Sequence, residues 1–168
     1  VSQVMTNFSY PDYLKLFFLK THYRSPIDYS TERMKEVEKN YDEFLEFFEH
    51  YDQWQVKTRN RFVGQQVSQT VPPFDKQFSE AMEDDLNTPK ALAVLFEAVN
   101  LGKQGLQRGD AAGGGLASHA SWTLLSCGKQ LGLFEQGITK EKTEVRSRIE
   151  SLIQEREAAR KSRDFAKA

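Results

Sequence analysis

Cysteine is almost missing from this chain. Cys127 is the single one in 168 residues, which excludes an intramolecular disulfide framework and any multi-cysteine zinc site. Histidine is scarce too: His22, His50 and His119 stand far apart, with no cysteine or carboxylate at metal-ligand spacing. No metal residues are read, and no catalytic set either. Long apolar runs are also absent. A run such as Leu16-Phe17-Phe18-Leu19 is one helical turn against the roughly 20 residues a membrane span needs. Val1 to Ser9 has neither a basic n-region nor an apolar h-region, so no signal peptide is read there. The expected setting is soluble, reducing and cytoplasmic, with no membrane partner. Charge of one sign is not in excess overall, with 23 basic against 24 acidic side chains. No alternating strand of useful length and no internal repeat occur.

What is present is aromatic residues and helical periodicity. Twelve Phe, six Tyr and two Trp are enough for a real core and too many for a disordered chain. Ser9-Tyr10-Pro11-Asp12 starts a helix running to about Thr21, with a cap, an early proline and an acid at the positive end of the dipole. Its apolar positions wrap most of its circumference, so a central place is expected. Pro26 forbids helix at Ser25. Ser30 or Thr31 then caps the longest helix, whose stripe is Met34, Val37, Tyr41, Phe44, Leu45, Phe48, Tyr51 and Trp54. Phe62-Val63-Gly64 and a polar run to Thr70 end it. Pro72-Pro73 opens a short helix bearing Phe74, Phe78 and Met82. Asn87 or Thr88 caps the next, with Leu92, Leu95, Phe96 and Val99 as its buried stripe. Gly102 to Gly115, containing Gly109 and the triplet Gly113-Gly114-Gly115, reads as a mobile loop. It is no phosphate cradle, because no strand precedes it and no Lys-Ser/Thr follows. Leu116 to Gly132 is one more helix, Leu133-Phe134 packs as the chain leaves, and Gly137 marks a boundary. The fold class expected is all-α, an antiparallel helical bundle over 1–136 followed by a charged C-terminal helix within 137–168.

Candidate chemistry is thin. His22 reads as a cap or packed imidazole, and His50 as a solvent-side residue. Asp84 and Asp85 point about 100° apart on a helix and read as helix-end polarity. Cys127 lies among Leu124, Leu125 and Leu131 and reads as a buried, inert thiol. Trp54 and Trp122 read as core. The charge does have an asymmetry: residues 1–139 carry 14 basic and 18 acidic side chains, and residues 140–168 carry nine and six. A basic end on an acidic body suits a partial nucleic-acid contact. It also suits a solvated helix face with pairs such as Glu157–Lys161.

The break points between helices are distinctive. Asp12-Tyr13-Leu14-Lys15-Leu16-Phe17-Phe18-Leu19 followed by Thr21-His22-Tyr23-Arg24-Ser25-Pro26-Ile27-Asp28-Tyr29-Ser30 resembles bacterial-type cysteinyl-tRNA synthetase, at the start of the helical domain named for its Asp-Ala-Leu-Arg motif. Tyr13 stands where the motif has Ala, and Lys15 keeps the cation without the planar fork of Arg. Asp84-Asp85-Leu86-Asn87-Thr88-Pro89-Lys90-Ala91 resembles the family's aspartate-rich helix junction. Leu152 to Ala168 resembles the start of its C-terminal tRNA-binding segment. The Thr21 to Ser30 run argues against the related cysteine-ligating enzyme of mycothiol synthesis.

The resemblance implies a part of an enzyme that ligates cysteine to its tRNA with ATP. The family's His-Ile-Gly-His and Lys-Met-Ser-Lys-Ser signatures and its zinc-binding Cys and His are not in these 168 residues. The chain is therefore expected to be an excised, inactive piece, beginning just after the second signature and stopping before the family's end. ATP and zinc would belong to the parent's catalytic core, with no cofactor in this piece. The implied partners are the cysteine tRNA and the catalytic domain of the same chain. For tRNA contact the candidates are Arg156, Arg160, Lys161 and Arg163. Positions 156, 160 and 163 share one helix face and could follow a phosphate backbone. Asp12, Leu14, Lys15, Arg24 and Asp28 are read as structural, with Arg24 and Asp28 paired to fix the loop after the first helix. The alternatives are a free-standing RNA-binding module without catalysis, and a protein-interaction bundle docking through a Phe-rich surface.

Overall fold

The computed structural model describes residues 11–58 and 72–135. The chain divides into two units, Val1–Gln136 and Gly137–Ala168, and only residues of the first are described. The end of the long helix in Phe62 to Thr70, the boundary at Gly137 and the charged C-terminal helix lie outside the described residues.

Five helices make up the first unit: α1 Pro11–Leu19, α2 Thr31–Thr58, α3 Phe74–Glu83, α4 Thr88–Arg108 and α5 Ala111–Gln130. No strand occurs among the described residues, and the all-α bundle is as the sequence predicts. Local chemistry sets the boundaries. Ser30 Oγ accepts from the Arg33 amide at 3.2 Å and caps α2. The Asn87 side chain accepts from the Lys90 amide, and Pro89 sits in the first turn of α4. The pairs α1–α2 and α2–α5 run antiparallel. Tyr13 of α1 meets Asp42 while Lys20, just after α1, meets Glu36, so α1 and α2 count in opposite directions. Trp54 lies over Gly114 while Tyr41 stacks on Phe134, which sets α2 antiparallel to α5.

The central element is α2, not α1. Met34, Val37, Tyr41, Phe44, Leu45, Phe47, Phe48 and Tyr51 of α2 are all buried. Their rings pack on Tyr13 of α1, Phe96 of α4 and Phe134 beyond α5. In α1, Tyr13, Leu16 and Phe17 are buried, but Phe18 is 52% exposed. An apolar face all round therefore did not mean burial all round: α1 packs chiefly on α2 and leaves its other side open.

The expected mobile loop at Gly102 to Gly115 is helix. α4 runs through Gly102 and Gly105 to Arg108, and α5 begins at Ala111 and carries the glycine triplet. The link is two residues, Gly109 and Asp110. Gly109 is left-handed (φ 66°), and Asp110 caps α5 by accepting from the Gly113 amide at 2.6 Å. Glycine serves here to let backbones touch. A Cβ at Gly102 would lie 2.7 Å from Phe47 Cζ and 2.8 Å from Ala120 Cβ, and one at Gly114 would lie 2.6 Å from Trp54 Cζ2. Gly105 and Gly113 face each other so closely that a Cβ on either would enter the other's carbonyl. The buried side of α5 carries Gly113, Gly114, Ala117, Ala120 and Ser121 together with Leu116, Thr123, Leu124, Cys127 and Gly128. That corrects Trp122 as a core residue: it lies on the opposite side and is 55% exposed.

Candidate functional site

The first polar centre is Asp12, 2% exposed at the start of α1. Burying a carboxylate is costly unless it is paired and hydrogen-bonded, and Asp12 is both. Its Oδ2 accepts from the Tyr41 hydroxyl at 2.7 Å and from the Phe134 amide at 2.8 Å. Its Oδ1 pairs with Lys15 Nζ at 3.0 Å. The three-residue spacing puts Asp12 and Lys15 on one helix face. Lys15 also donates to the Gly132 carbonyl and pairs with Glu135 at 3.1 Å. Burial works against its charge, but the hydrogen bonds and charges of Asp12 and Glu135 outweigh that and hold its pKa above the ordinary lysine value. The segment gripped here is shaped in advance. Gly132 (φ 73°) takes the left-handed residue after α5, with Leu133 N bonding Gly128 O and Gly132 N bonding Lys129 O, a Schellman motif. Phe134 (φ 65°) is left-handed without being glycine, and its buried ring and the amide held by Asp12 keep it there. Asp12 and Lys15 thus fasten α1 to α2 and to the exit from α5. Leu14 is half-buried beside them.

The second centre is Asp85, in the turn between α3 and α4. Arg24 reaches it with Nη1 at 3.2 Å and Nη2 at 3.2 Å, and the Tyr23 hydroxyl donates to it at 2.8 Å. Arg24 Nε donates to the Tyr23 oxygen at 2.9 Å, and His22 stacks on Tyr23 with centroids 4.9 Å apart. The hydrogen bond to Asp85 raises the Tyr23 phenol above its usual pKa. The expected Arg24–Asp28 pair is not formed. Arg24 instead fixes its loop to a turn 61 residues on, and Asp28 faces Arg33 at 4.0 Å while its carbonyl accepts from Arg33 Nη1. Arg24 lies in a tight turn, closed by the Ser25 amide on the His22 carbonyl at 2.8 Å, and its side chain meets Asp85 rather than Asp28. Asp84 pairs with Lys90 at 3.4 Å, so both aspartates act at the helix junction, as the sequence reading has it.

Cys127 is 2% exposed, and burial pushes its thiol above the ordinary value. Alkylation by iodoacetamide at pH 7.5 is therefore expected to be slow in the native protein and fast in denaturant. Equal rates in the two states would show that the thiol is open. Among the described residues no group of three or more His, Cys, Asp or Glu is placed to hold a metal, and no helix is long and apolar enough to cross a membrane. A shallow depression beside α2 is lined by charges of both signs, including Lys39, Glu43 and Lys103. Arg156, Arg160, Lys161 and Arg163 lie outside the described residues.

Residues 77–135, from within α3 to the exit after α5, match the DALR domain family. The four-residue motif Asp12 to Lys15 lies outside that stretch. The longer comparison is more particular. The chain is 34% identical over 173 residues to the cysteine–tRNA ligase of Persephonella marina, covering 92% of this chain and 36% of that one. It is 36% identical over 165 residues to that of Synechococcus elongatus, covering 94% and 34%. To that of Geobacter sulfurreducens it is 33% identical over 168 residues, covering 92% and 35%. The chain is related to cysteine–tRNA ligases and spans about a third of the length of the curated relatives it matches. The resemblance read from the helix break points is borne out.

Proposed function

We propose that this chain is the tRNA-binding helical part of a cysteine–tRNA ligase and supports ATP-dependent attachment of cysteine to its tRNA in the longer enzyme. The observation that carries this is the match to ligases along 92% of the chain. In this reading the bundle is a rigid strut, locked at Asp12 and along the α4–α5 glycines. Arg156, Arg160, Lys161 and Arg163 supply phosphate contacts, and the partners are the cysteine tRNA and the catalytic part of the ligase, in the cytoplasm. ATP and zinc act in that catalytic part, and these 168 residues alone do not charge tRNA. A Phe-rich docking surface has little support, since Phe18 is the one exposed phenylalanine among the described residues.

The test is tRNA binding by this chain at 50 and 200 mM salt, with cysteine tRNA beside an unrelated tRNA. Affinity is expected to fall about tenfold or more across that range, as counterion release from several phosphates requires. Arg160→Ala with Arg163→Ala should weaken both tRNAs and flatten the salt slope. Absence of binding at either salt would overturn the reading.

A further inference from the structure

Three described residues other than glycine hold a left-handed backbone: Asp85 (φ 54°), Leu86 (φ 53°) and Phe134. Such a backbone is disfavoured about five- to thirtyfold per residue, and it persists only where its surroundings hold it. For Phe134 the holding groups are its buried ring and Asp12. Asp85 is of a type that tolerates the left-handed region better than most. Leu86 has neither excuse. It stands just past a helix end, where glycine is the usual choice, and its side chain is 56% exposed, so burial returns little.

Two sets of contacts close this turn. The local set is backbone: the Leu86 amide donates to the Met82 carbonyl and the Asn87 amide to the Ala81 carbonyl, both at 3.1 Å. The other set comes from residues 20–30, between α1 and α2. Arg24 forks onto the Asp85 carboxylate, the Tyr23 hydroxyl donates to it, and His22 Nε2 stands 3.9 Å away. That segment is itself tied to α2 at both ends. Lys20 meets Glu36 at 2.6 Å, and Arg33 Nη1 donates to the Asp28 carbonyl at 2.8 Å. The contacts on Asp85 are exposed. An exposed ion pair is worth about fivefold at most, and salt weakens it. Strain and restraint are therefore of similar size.

We propose that residues 20–30 form a strap: through Tyr23 and Arg24 they keep the Asp85–Leu86 turn in its strained form, and when the strap lets go the turn relaxes while α3 and α4 stay folded. The helices do not depend on the turn, because Phe74, Phe78 and Ala81 of α3 and Leu92, Leu95 and Val99 of α4 are buried. The strap links segments 61 residues apart in sequence, so a charge brought to Arg24 is felt at the start of α4. None of this depends on the ligase reading.

The test is amide hydrogen exchange on the whole chain, read residue by residue. Tyr23→Phe with Arg24→Gln is expected to speed the amides of Leu86 and Asn87 about fivefold or more, with amides 92–99 unchanged. Raising salt from about 50 to about 500 mM should speed the same two amides in the wild-type chain and not in that variant. Leu86→Gly should act the other way. It should slow the Asn87 amide about fivefold and offset the strap variant when the two are combined. Leu86→Ala keeps a Cβ and should stay near the wild-type rate. Unchanged exchange in the strap variant overturns the proposal. A rise spread equally over 92–99 also overturns it, since the contact would then be an ordinary part of global stability. Faster exchange in Leu86→Gly overturns it too, because the turn would hold no strain. If circular dichroism shows the double variant unfolded, Tyr23→Phe alone is read against the same outcomes.

Discussion

Gly105→Ala is expected to destabilise the bundle by about 2 kcal/mol, even though it places a better helix former mid-helix. Alanine in a helix is favoured over glycine by about 1 kcal/mol. Against this stands overpacking, which costs about 1–3 kcal/mol and sometimes more. The added methyl would meet the Gly113 carbonyl and the Ala117 amide nitrogen, both backbone atoms, as well as Leu116 Cβ at 2.9 Å. A backbone atom cannot rotate away, so α4 and α5 must separate and loosen the contacts of Phe47, Ala120 and Leu116 along the same seam. For a chain of this size the fall in Tm would be about 4–8 °C. If 102–115 were a mobile loop, the same substitution would instead stabilise, by restricting the unfolded chain by about 0.4–1 kcal/mol. The sign therefore separates the two pictures. Gly109→Ala is the matched control: it has nothing within 4 Å, so its cost is only that of a left-handed alanine, about 1 kcal/mol.

Asp12→Ala should cost more, about 3–5 kcal/mol by urea unfolding, the range for removing one member of a buried charge network. The Tyr41 hydroxyl and the Phe134 amide would lose their acceptor, and Lys15 would lose its nearest anion. Each stranded buried group carries a penalty of about 1–3 kcal/mol. Asp12→Asn keeps one acceptor oxygen and the shape, so its loss should be smaller. Phe134 gives a second readout. Its left-handed backbone is held by the bond to Asp12 and by its buried ring, so amide exchange at 131–135 should rise more than elsewhere in Asp12→Ala. A loss under about 1 kcal/mol for the alanine variant would mean that the centre is not a structural lock.

Much of the fold was legible in one dimension. The α2 stripe, the Ser30 and Asn87 caps and the Pro89 start are decided by neighbours within four residues, and periodicity reports such neighbours directly. The thiol of Cys127 was legible for the same reason, from the leucines around it. The glycines of α4 and α5 misled because the same residue serves both freedom and close approach. Only the facing helix distinguishes the two, and α5 packs on α4 by glycine meeting glycine. Trp122 misled in the companion way: α5 meets α4 through Gly113, Leu116, Ala117 and Ala120, and Trp122 falls on the other side of the helix.

The candidate site divides along the same line. Asp12 and Lys15, three apart on one helix, could be read as a motif. Their partners Tyr41, Gly132, Phe134 and Glu135 could not, being 29 to about 120 residues away in sequence. Arg24 shows the limit most plainly. Asp28 was the nearest carboxylate along the chain, and Asp85, 61 residues on, was the nearest in space. By itself the sequence determined α1, α2 and the starts of α3 and α4, the Ser30 and Asn87 caps, the kinship with cysteine–tRNA ligases and the basic character of residues 140–168. Tertiary structure alone decided which glycines touch, which carboxylate Arg24 holds and which aromatics stay outside. Helices are written by local hydrogen bonds and periodic burial, whereas pairing between them depends on which faces meet once the chain has closed.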